Sequence, residues 1–378
     1  MKKMLIDLTY APTGGALAQI KEILNCIESY KFEMIVFYIT RENYHLFQRV
    51  NNNKIKILFV PFSNSSIILR TIWAQFILPF YLLNNKIDLL FCPGNISPII
   101  NSTKKVQWIG TVGPFEKNFI SFFGLRQRIV LFITKYLMIF SSYTSDLVIF
   151  ESEYTQELFV ERYGQKKERS TVVYIGNDDF FYNTLGEGSE NYHQYGKFIL
   201  VVAHLYPYKN IEILLESYYD SNLHLRGLKI VIAGAISNEN YYKKLIAKIE
   251  GFGLIEYVIF LDSVHKHMLR DLYSHCTMLV FTSPFENFAY TLVEAMSCAT
   301  PIIATNTTAM PETCGDAVLY FSPDSHKELS LCILKYLDNN ELRKEYKERA
   351  RIKSMTYDTY SEVNNITANL LSQINTNK

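Results

Sequence analysis

Residues 280–294 read V-F-T-S-P-F-E-N-F-A-Y-T-L-V-E. An apolar run ends at Thr282, a short turn holds Pro284, Glu286 and Asn287, and a helix is expected over 290–298. Strand, turn and helix in that order make the unit of a parallel sheet, whose ligand sites lie at the C-terminal ends of its strands. A helix N-terminus placed there favours phosphate through unpaired N–H groups and the helix dipole. Glu286 in the turn and Glu294, eight positions on and about one turn inside the helix, would flank such a phosphate. Carboxylates there suit hydroxyl groups, which donate hydrogen bonds to them. The plainer alternative is an acidic helix start that suits the dipole, with one solvated Glu. Spacing alone leaves both open.

Outward from this segment the same alternation recurs. Short β-branched and aromatic runs at 4–8, 34–39, 55–60, 89–92, 106–109, 147–151 and 172–175 predict strands, each separated by helix-length sequence. A second set follows at 198–203, 229–233, 258–261, 278–282, 301–304 and 318–321. Near-continuous apolar strands alternating with helices predict parallel sheets covered on both faces. The Gly-, Asn- and acid-rich stretch before the second set reads as a linker. The expected organisation is a domain over 1–176, a linker over 177–196 and a domain over 197–378, each doubly wound α/β. Residues 325–374 are helical in pattern, and 341–353 are polar enough to lie on the surface.

The composition agrees. A chain of 378 residues suits two domains, and 48% apolar with 20% charged residues excludes disorder. The longest uncharged run, 295–311, contains two prolines and is no membrane helix. Three apolar residues between Lys3 and Asp7 are too few for a signal peptide, so a cytoplasmic protein is expected. Cys26, Cys92, Cys276, Cys298, Cys314 and Cys332 are scattered without a CxxC pair, which suggests neither disulfides nor zinc. Residues 1–175 carry 20 Lys/Arg against 13 Asp/Glu, a net of +7, while the remainder carries 18 against 24, a net of −6. The basic half predicts an anionic partner, nucleic acid or an anionic membrane surface.

Two more segments carry chemistry. Residues 198–210 read F-I-L-V-V-A-H-L-Y-P-Y-K-N, a strand followed by a loop with His204 and Lys209. Thr13-Gly14-Gly15 follows the first strand, where glycines let backbone N–H groups approach a ligand closely. No Asp-x-Asp occurs, so two-carboxylate metal chelation of a diphosphate is not expected. His265, His267 and His275 lack metal-ligand spacing and are expected at the surface.

The segment 280–294 resembles the Glu-x7-Glu motif of retaining glycosyltransferases of family 4, which have the GT-B fold. Ala295-Met296-Ser297-Cys298, Pro301-Ile302-Ile303-Ala304 and residues 310–317 (M-P-E-T-C-G-D-A) resemble the elements that follow it in that family. The likeness is specific in the second half and looser in the first. It implies two Rossmann-like domains facing a cleft, with a nucleotide-sugar donor on the second and the acceptor on the first. It implies that Glu286 contacts the donor sugar and Glu294 the ribose. Lys209 would bind the diphosphate, with His204 alone able to supply the second basic group, since position 208 is Tyr. Asn287, Phe288, Ala289, Tyr290, Thr291 and Leu292 would line the donor, and Gly15 would face it from the first domain. Glu286 and Lys209 are the expected catalytic residues, with no metal or other cofactor.

The resemblance implies a retaining hexosyltransferase of cell-surface polysaccharide (O-antigen or capsule) biosynthesis, acting on a lipid-linked saccharide. A nucleotide-sugar epimerase or a catalytically silent scaffold relative are the alternatives, and no nucleic-acid partner is implied. Residues 117–143 wind into a helix with Ser121, Arg128, Lys135 and Ser142 on one narrow stripe and apolar residues around most of the rest. That pattern suits a core helix or one lying in the interface of an anionic membrane. The expected address is cytoplasmic, peripherally bound to the inner face of the cytoplasmic membrane.

Overall fold

The computed structural model describes residues 3–9, 34–39, 55–60, 67–182 and 193–375. Its contacts divide the chain into two compact units, Met1–Gly176 with Thr359–Lys378, and Asn177–Asp358.

The first unit holds β1 (Lys3–Asp7), β2 (Met34–Ile39), β3 (Ile55–Phe59), β4 (Leu89–Cys92), β5 (Lys104–Ile109), β6 (Leu147–Phe150) and β7 (Ser170–Val172). They form one parallel sheet in the order β3-β2-β1-β4-β5-β6-β7. The second holds β8 (Lys197–Val202), β9 (Leu228–Ala233), β10 (Val258–Leu261), β11 (Met278–Phe281), β12 (Ile302–Thr305) and β13 (Leu319–Phe321), in the order β10-β9-β8-β11-β12-β13, also parallel. All thirteen expected strands are present. The last of the first set lies at Ser170–Val172 rather than 172–175, because the chain turns off the sheet towards Asn177.

The interior strands β4 (L-L-F-C) and β11 (M-L-V-F) are apolar throughout, and every residue of both is buried. Helices on both faces leave no position of these strands to water. In the second unit β8, β9 and β10 step one way across the sheet, and β11, β12 and β13 step the other. The reversal sets the loops after β8 and β11 side by side. That switch point is where an α/β sheet opens a crevice for ligands.

The domain borders differ from the sequence expectation at both ends. Residues 177–182, expected as linker, are packed into the second unit. Asn177 is buried, donates its N–H to the Tyr357 carbonyl at 2.8 Å and bonds Ser297 through its side chain. Phe181 is buried beside Tyr273, and Tyr182 donates to the Ser354 carbonyl at 2.8 Å. Positions 183–192 of that stretch lie outside the described residues.

The helical tail was expected to belong wholly to the second domain. Helices His326–Asp338 and Asn340–Ser354 do, but Thr359–Asn375 packs against β4 and β5 of the first unit. Ile366 and Leu370 are buried, and Lys104 donates to the Gln373 carbonyl at 2.8 Å. An amphipathic pattern states that a helix has a buried face, not which sheet receives it.

The helix expected in 117–143 runs over Leu125–Tyr143, and its faces are set opposite to a membrane-surface helix with a basic outer side. The C-terminal half of the polar stripe turns towards the protein, while Ser121 and Arg128 stay exposed. Ser141 and Ser142 are buried, Lys135 sits over the rings of Phe115 and Tyr163, and Arg128 donates to the carbonyls of Phe123 and Ser121. The apolar side faces solvent. Among the described residues no helix is long and apolar enough to cross a membrane.

Candidate functional site

The loop after β8 tightens into a 3-10 turn over Pro207–Lys209 and ends at Asn210 with φ 51°. The Asn210 side chain donates to the Pro323 carbonyl at 3.0 Å, which fixes the end of the turn. The loop after β11 is fastened at several points. Thr282 Oγ1 donates to the Lys209 carbonyl at 2.6 Å, joining the two loops directly. Thr305 and Thr307 donate to the carbonyls of Ser283 and Pro284, and the Glu286 N–H donates to Thr308 Oγ1 at 3.3 Å.

These anchors bring two charges together. The Lys209 ammonium donates to the Glu286 carboxylate at 2.6 Å, with the two side chains 16% and 20% exposed. Burial would lower the Lys209 pKa, but the adjoining Glu286 carboxylate outweighs it and holds the ammonium above its ordinary value. Lys209 also lies 5.0 Å from the centre of the Tyr208 ring, which stacks on Tyr206 at 5.6 Å. An aromatic face thus occupies the place where the family resemblance expected a second basic residue. His204 is exposed on the same loop.

The helix after the second loop is Tyr290–Ser297, close to the expected 290–298. It starts at Ala289 with no side-chain cap and no acidic residue in its first turn. The acidic-start alternative therefore does not describe it. The positive end of its dipole carries no acidic residue of its own first turn. Asn287, Phe288, Ala289 and Leu292 are buried, with Phe288 against the Tyr357 ring, while Tyr290 and Thr291 are half-buried.

Glu294 is the fifth residue of that helix and half-buried. Burial pushes its pKa from the ordinary carboxylate range up to about 7, against the pull of the Tyr273 hydroxyl and of Lys266. Tyr273 is fully buried and donates to Glu294 Oε2 at 3.0 Å. Its own pKa is driven far up by burial and by Glu294, so the hydroxyl remains a donor.

Of the residues expected at the donor site, the structure gathers Lys209 with Glu286, and fixes 287–292 and Glu294 on the element that follows. Gly15, with Thr13 and Gly14, lies outside the described residues. Sequence reading missed Tyr273, which no local spacing connects to Glu294, and Thr282, whose role is a backbone latch. It also missed Gly234, at φ 152°, where a Cβ would lie 2.1 Å from the Ala203 carbonyl oxygen. A glycine directly after a strand was the available signal. It lets the loop after β9 cross that after β8, with the Leu205 N–H bonded to the Ala235 carbonyl at 3.0 Å. His265 caps the helix Lys266–His275, and His265, His267 and His275 are exposed. Among the described residues no group of three His, Cys, Asp or Glu is placed to hold a metal.

Residues 189–353 match the family Glycosyl transferases group 1. The chain is 29% identical over 148 residues to the O-antigen chain mannosyltransferase B of Escherichia coli, which is 39% of this chain and 38% of that protein. It is 25% identical over 232 residues to a Campylobacter jejuni transferase, covering 60% of each. That relative is named N-acetylgalactosamine-N,N'-diacetylbacillosaminyl-diphospho-undecaprenol 4-alpha-N-acetylgalactosaminyltransferase. The matches thus span less than two thirds of these relatives' lengths. Among solved structures, Anabaena HepE in complex with UDP superposes with a TM-score of 0.75 at 19% identity, over 98% of this chain and all of that one. The fold is therefore GT-B, two Rossmann-like parallel-sheet units in one chain.

Proposed function

We propose that the protein is a retaining glycosyltransferase that moves a hexose from a nucleotide sugar to a lipid-linked saccharide in cell-surface polysaccharide biosynthesis. The observation that carries this reading is the pairing of Lys209 with Glu286 across the β8 and β11 loops, with Glu294 on the helix that follows. The matched family segment contains all three residues. Relatives named for O-antigen mannosyl transfer and for a diphospho-undecaprenol acceptor support the polymer and the lipid, and the UDP complex of HepE supports the donor class.

The chemistry follows from charge. In the donor, the bond from the anomeric carbon to the diphosphate breaks, and the leaving diphosphate keeps the electron pair. Lys209 and the uncapped start of the helix Tyr290–Ser297 stabilise that charge. The acceptor hydroxyl forms the new bond on the same face, and its proton passes to a departing phosphate oxygen. Glu286 accepts hydrogen bonds from the sugar, and Glu294 from the ribose. These residues position and stabilise, and none needs to act as a strong base. In this reading catalysis is metal-independent, and His204 and the segment 287–292 border the donor. The enzyme works in the cytoplasm at the inner membrane face.

The matched family and the named relatives favour transfer over epimerisation. Incubation with a panel of nucleotide sugars, followed by assay of released UDP or GDP, tests the reading. Turnover with one sugar and an α- or β-configured product matching the donor supports it. No release with any of them, in a protein that binds nucleotide, leaves the silent scaffold relative.

A further inference from the structure

We propose that the first unit docks on an anionic lipid bilayer through a two-helix apolar face, formed by the segment 67–84 and the helix Leu125–Tyr143. This deepens the lipid-linked acceptor reading by naming the surface that would meet the membrane, and it stands or falls by itself.

Both segments cover the same side of the sheet. Leu78 and Leu82 pack with Leu90 and Cys92 of β4. Those two positions register with Lys105 and Gln107 of β5. Lys105 and Gln107 in turn donate to Thr144 at 2.8 Å and to Ser141 at 2.9 Å, at the end of the second helix. A buried polar seam runs between the helices. The Gln75 amide donates to the Ser97 carbonyl at 3.1 Å, and Ser97 Oγ donates to Gln107 at 3.3 Å.

The consequence is an inverted pair of helices. Several polar side chains bond inwards beside Leu78, Leu82, Met138 and Ile139, and a band of apolar ones points out. In the first segment Ile68, Ile72, Phe76 and Phe80 recur at four-residue steps, with Phe76 and Phe80 exposed by 66% and 70%. Pro79, which has no N–H to continue the ladder, follows a π-helical turn over Trp73–Ile77 there. In the second helix Leu125, Ile129, Phe132, Tyr136 and Phe140 share one outer face. Fourteen of the twenty-four exposed large hydrophobics among the described residues lie on these two segments. A contiguous apolar surface of that kind marks an interaction site rather than ordinary surface.

Charge selects the partner. Residues 67–145 carry eight Lys/Arg and two Asp/Glu. Both acids are engaged, Asp88 by the Lys3 N–H and Glu116 by the Tyr154 hydroxyl. Arg126 is exposed in the first turn of the second helix, Lys117 in the loop before it, and Lys86 beyond the end of the first. An apolar band with cations at its ends suits an anionic lipid interface, where side chains enter the acyl boundary and ammonium groups meet headgroups.

The test is co-sedimentation of the full chain with phosphatidylcholine vesicles, with and without phosphatidylglycerol, at low and high salt. The parent should prefer the anionic vesicles, with part of its binding surviving high salt because apolar insertion is not screened. Phe76→Ser with Phe80→Ser should lower partitioning on the order of tenfold or more, as should Phe132→Ser with Phe140→Ser. These positions are exposed, and unchanged UDP or GDP titration would report an intact second unit. The proposal is overturned if the parent binds no vesicles, or if the Phe76/Phe80 variant sediments like the parent. It is also overturned if that variant turns a dimer into a monomer on gel filtration, since a second copy would then cover the face. Vesicle binding by a parent that transfers no sugar from any nucleotide sugar would sink the transferase reading alone.

Discussion

The ammonium of Lys209 and the carboxylate of Glu286 meet at 2.6 Å although 77 positions separate them in the chain. Sheet topology makes this meeting possible. β8 and β11 are neighbours at the point where strand order reverses, and Thr282 bonds the backbone of Lys209. A diphosphate and a sugar hydroxyl are the partners these two charges would take from each other. Under the proposed function, Lys209 would face the diphosphate and Glu286 the sugar.

Substitution should tell the two roles apart. Lys209→Ala is expected to reduce both turnover and nucleoside-diphosphate affinity, because its charge acts on phosphate before and during bond breaking. Glu286→Gln should reduce turnover while the diphosphate binds normally. Steady-state kinetics with calorimetric titration measure both, and the reverse pattern would place the donor the other way round.

Glu294→Ala should weaken nucleotide binding by ~1–3 kcal/mol, the range for hydrogen bonds to a charged group. Calorimetry on the folded variant checks it. Unchanged affinity would remove Glu294 from the ribose.

Gly234→Ala should destabilise the second unit by about 2 kcal/mol or more, since its Cβ would collide with the Ala203 carbonyl in a backbone region unfavourable to L-residues. The readout is thermal unfolding followed alongside nucleotide binding. A melting temperature equal to the parent's would show that the β8 and β9 loops can move apart freely.

Most strands were legible because burial on both faces forces central ones such as β4 and β11 to be apolar throughout, and runs of that kind stand out from the helices between them. The Glu-x7-Glu spacing was legible because strand, turn and helix are contiguous. What could not be read depends on contacts between distant segments. The tail helix Thr359–Asn375 chooses the first sheet through Ile366 and Leu370, a choice no local pattern encodes. The stripe Ser121, Arg128, Lys135 and Ser142 was visible, but its direction was not. Gln107 and Lys105 on β5 draw the polar side inward, and that follows only from the register of the sheet. Tyr273 likewise reaches Glu294 from another helix.

The Tyr273–Glu294 contact predicts a pH dependence whose sign is fixed by burial. The Glu294 carboxyl is raised to about 7 in the folded protein, above an ordinary value of 4.5. Burial dominates. The Tyr273 hydroxyl and Lys266 pull it down, Asp178 pushes it up, and Lys266 and Asp178 are themselves paired. A folded pKa above the unfolded one contributes stability that is full below 4.5 and is lost as pH rises through about 7. Ribose hydroxyls donate to the charged form, so nucleotide binding should release a proton and tighten as pH rises from 6 towards 8. Phosphate ionisation of the nucleotide acts in the same direction, so the comparison is with Glu294→Gln, which should lose only the carboxyl's share. Tyr273→Phe removes the donor that favours the carboxylate, so its binding midpoint should move to higher pH while the ring preserves the packing. Calorimetric titration in buffers of different ionisation enthalpy measures the released proton directly. If parent and Glu294→Gln release the same number across this range, Glu294 does not titrate on binding.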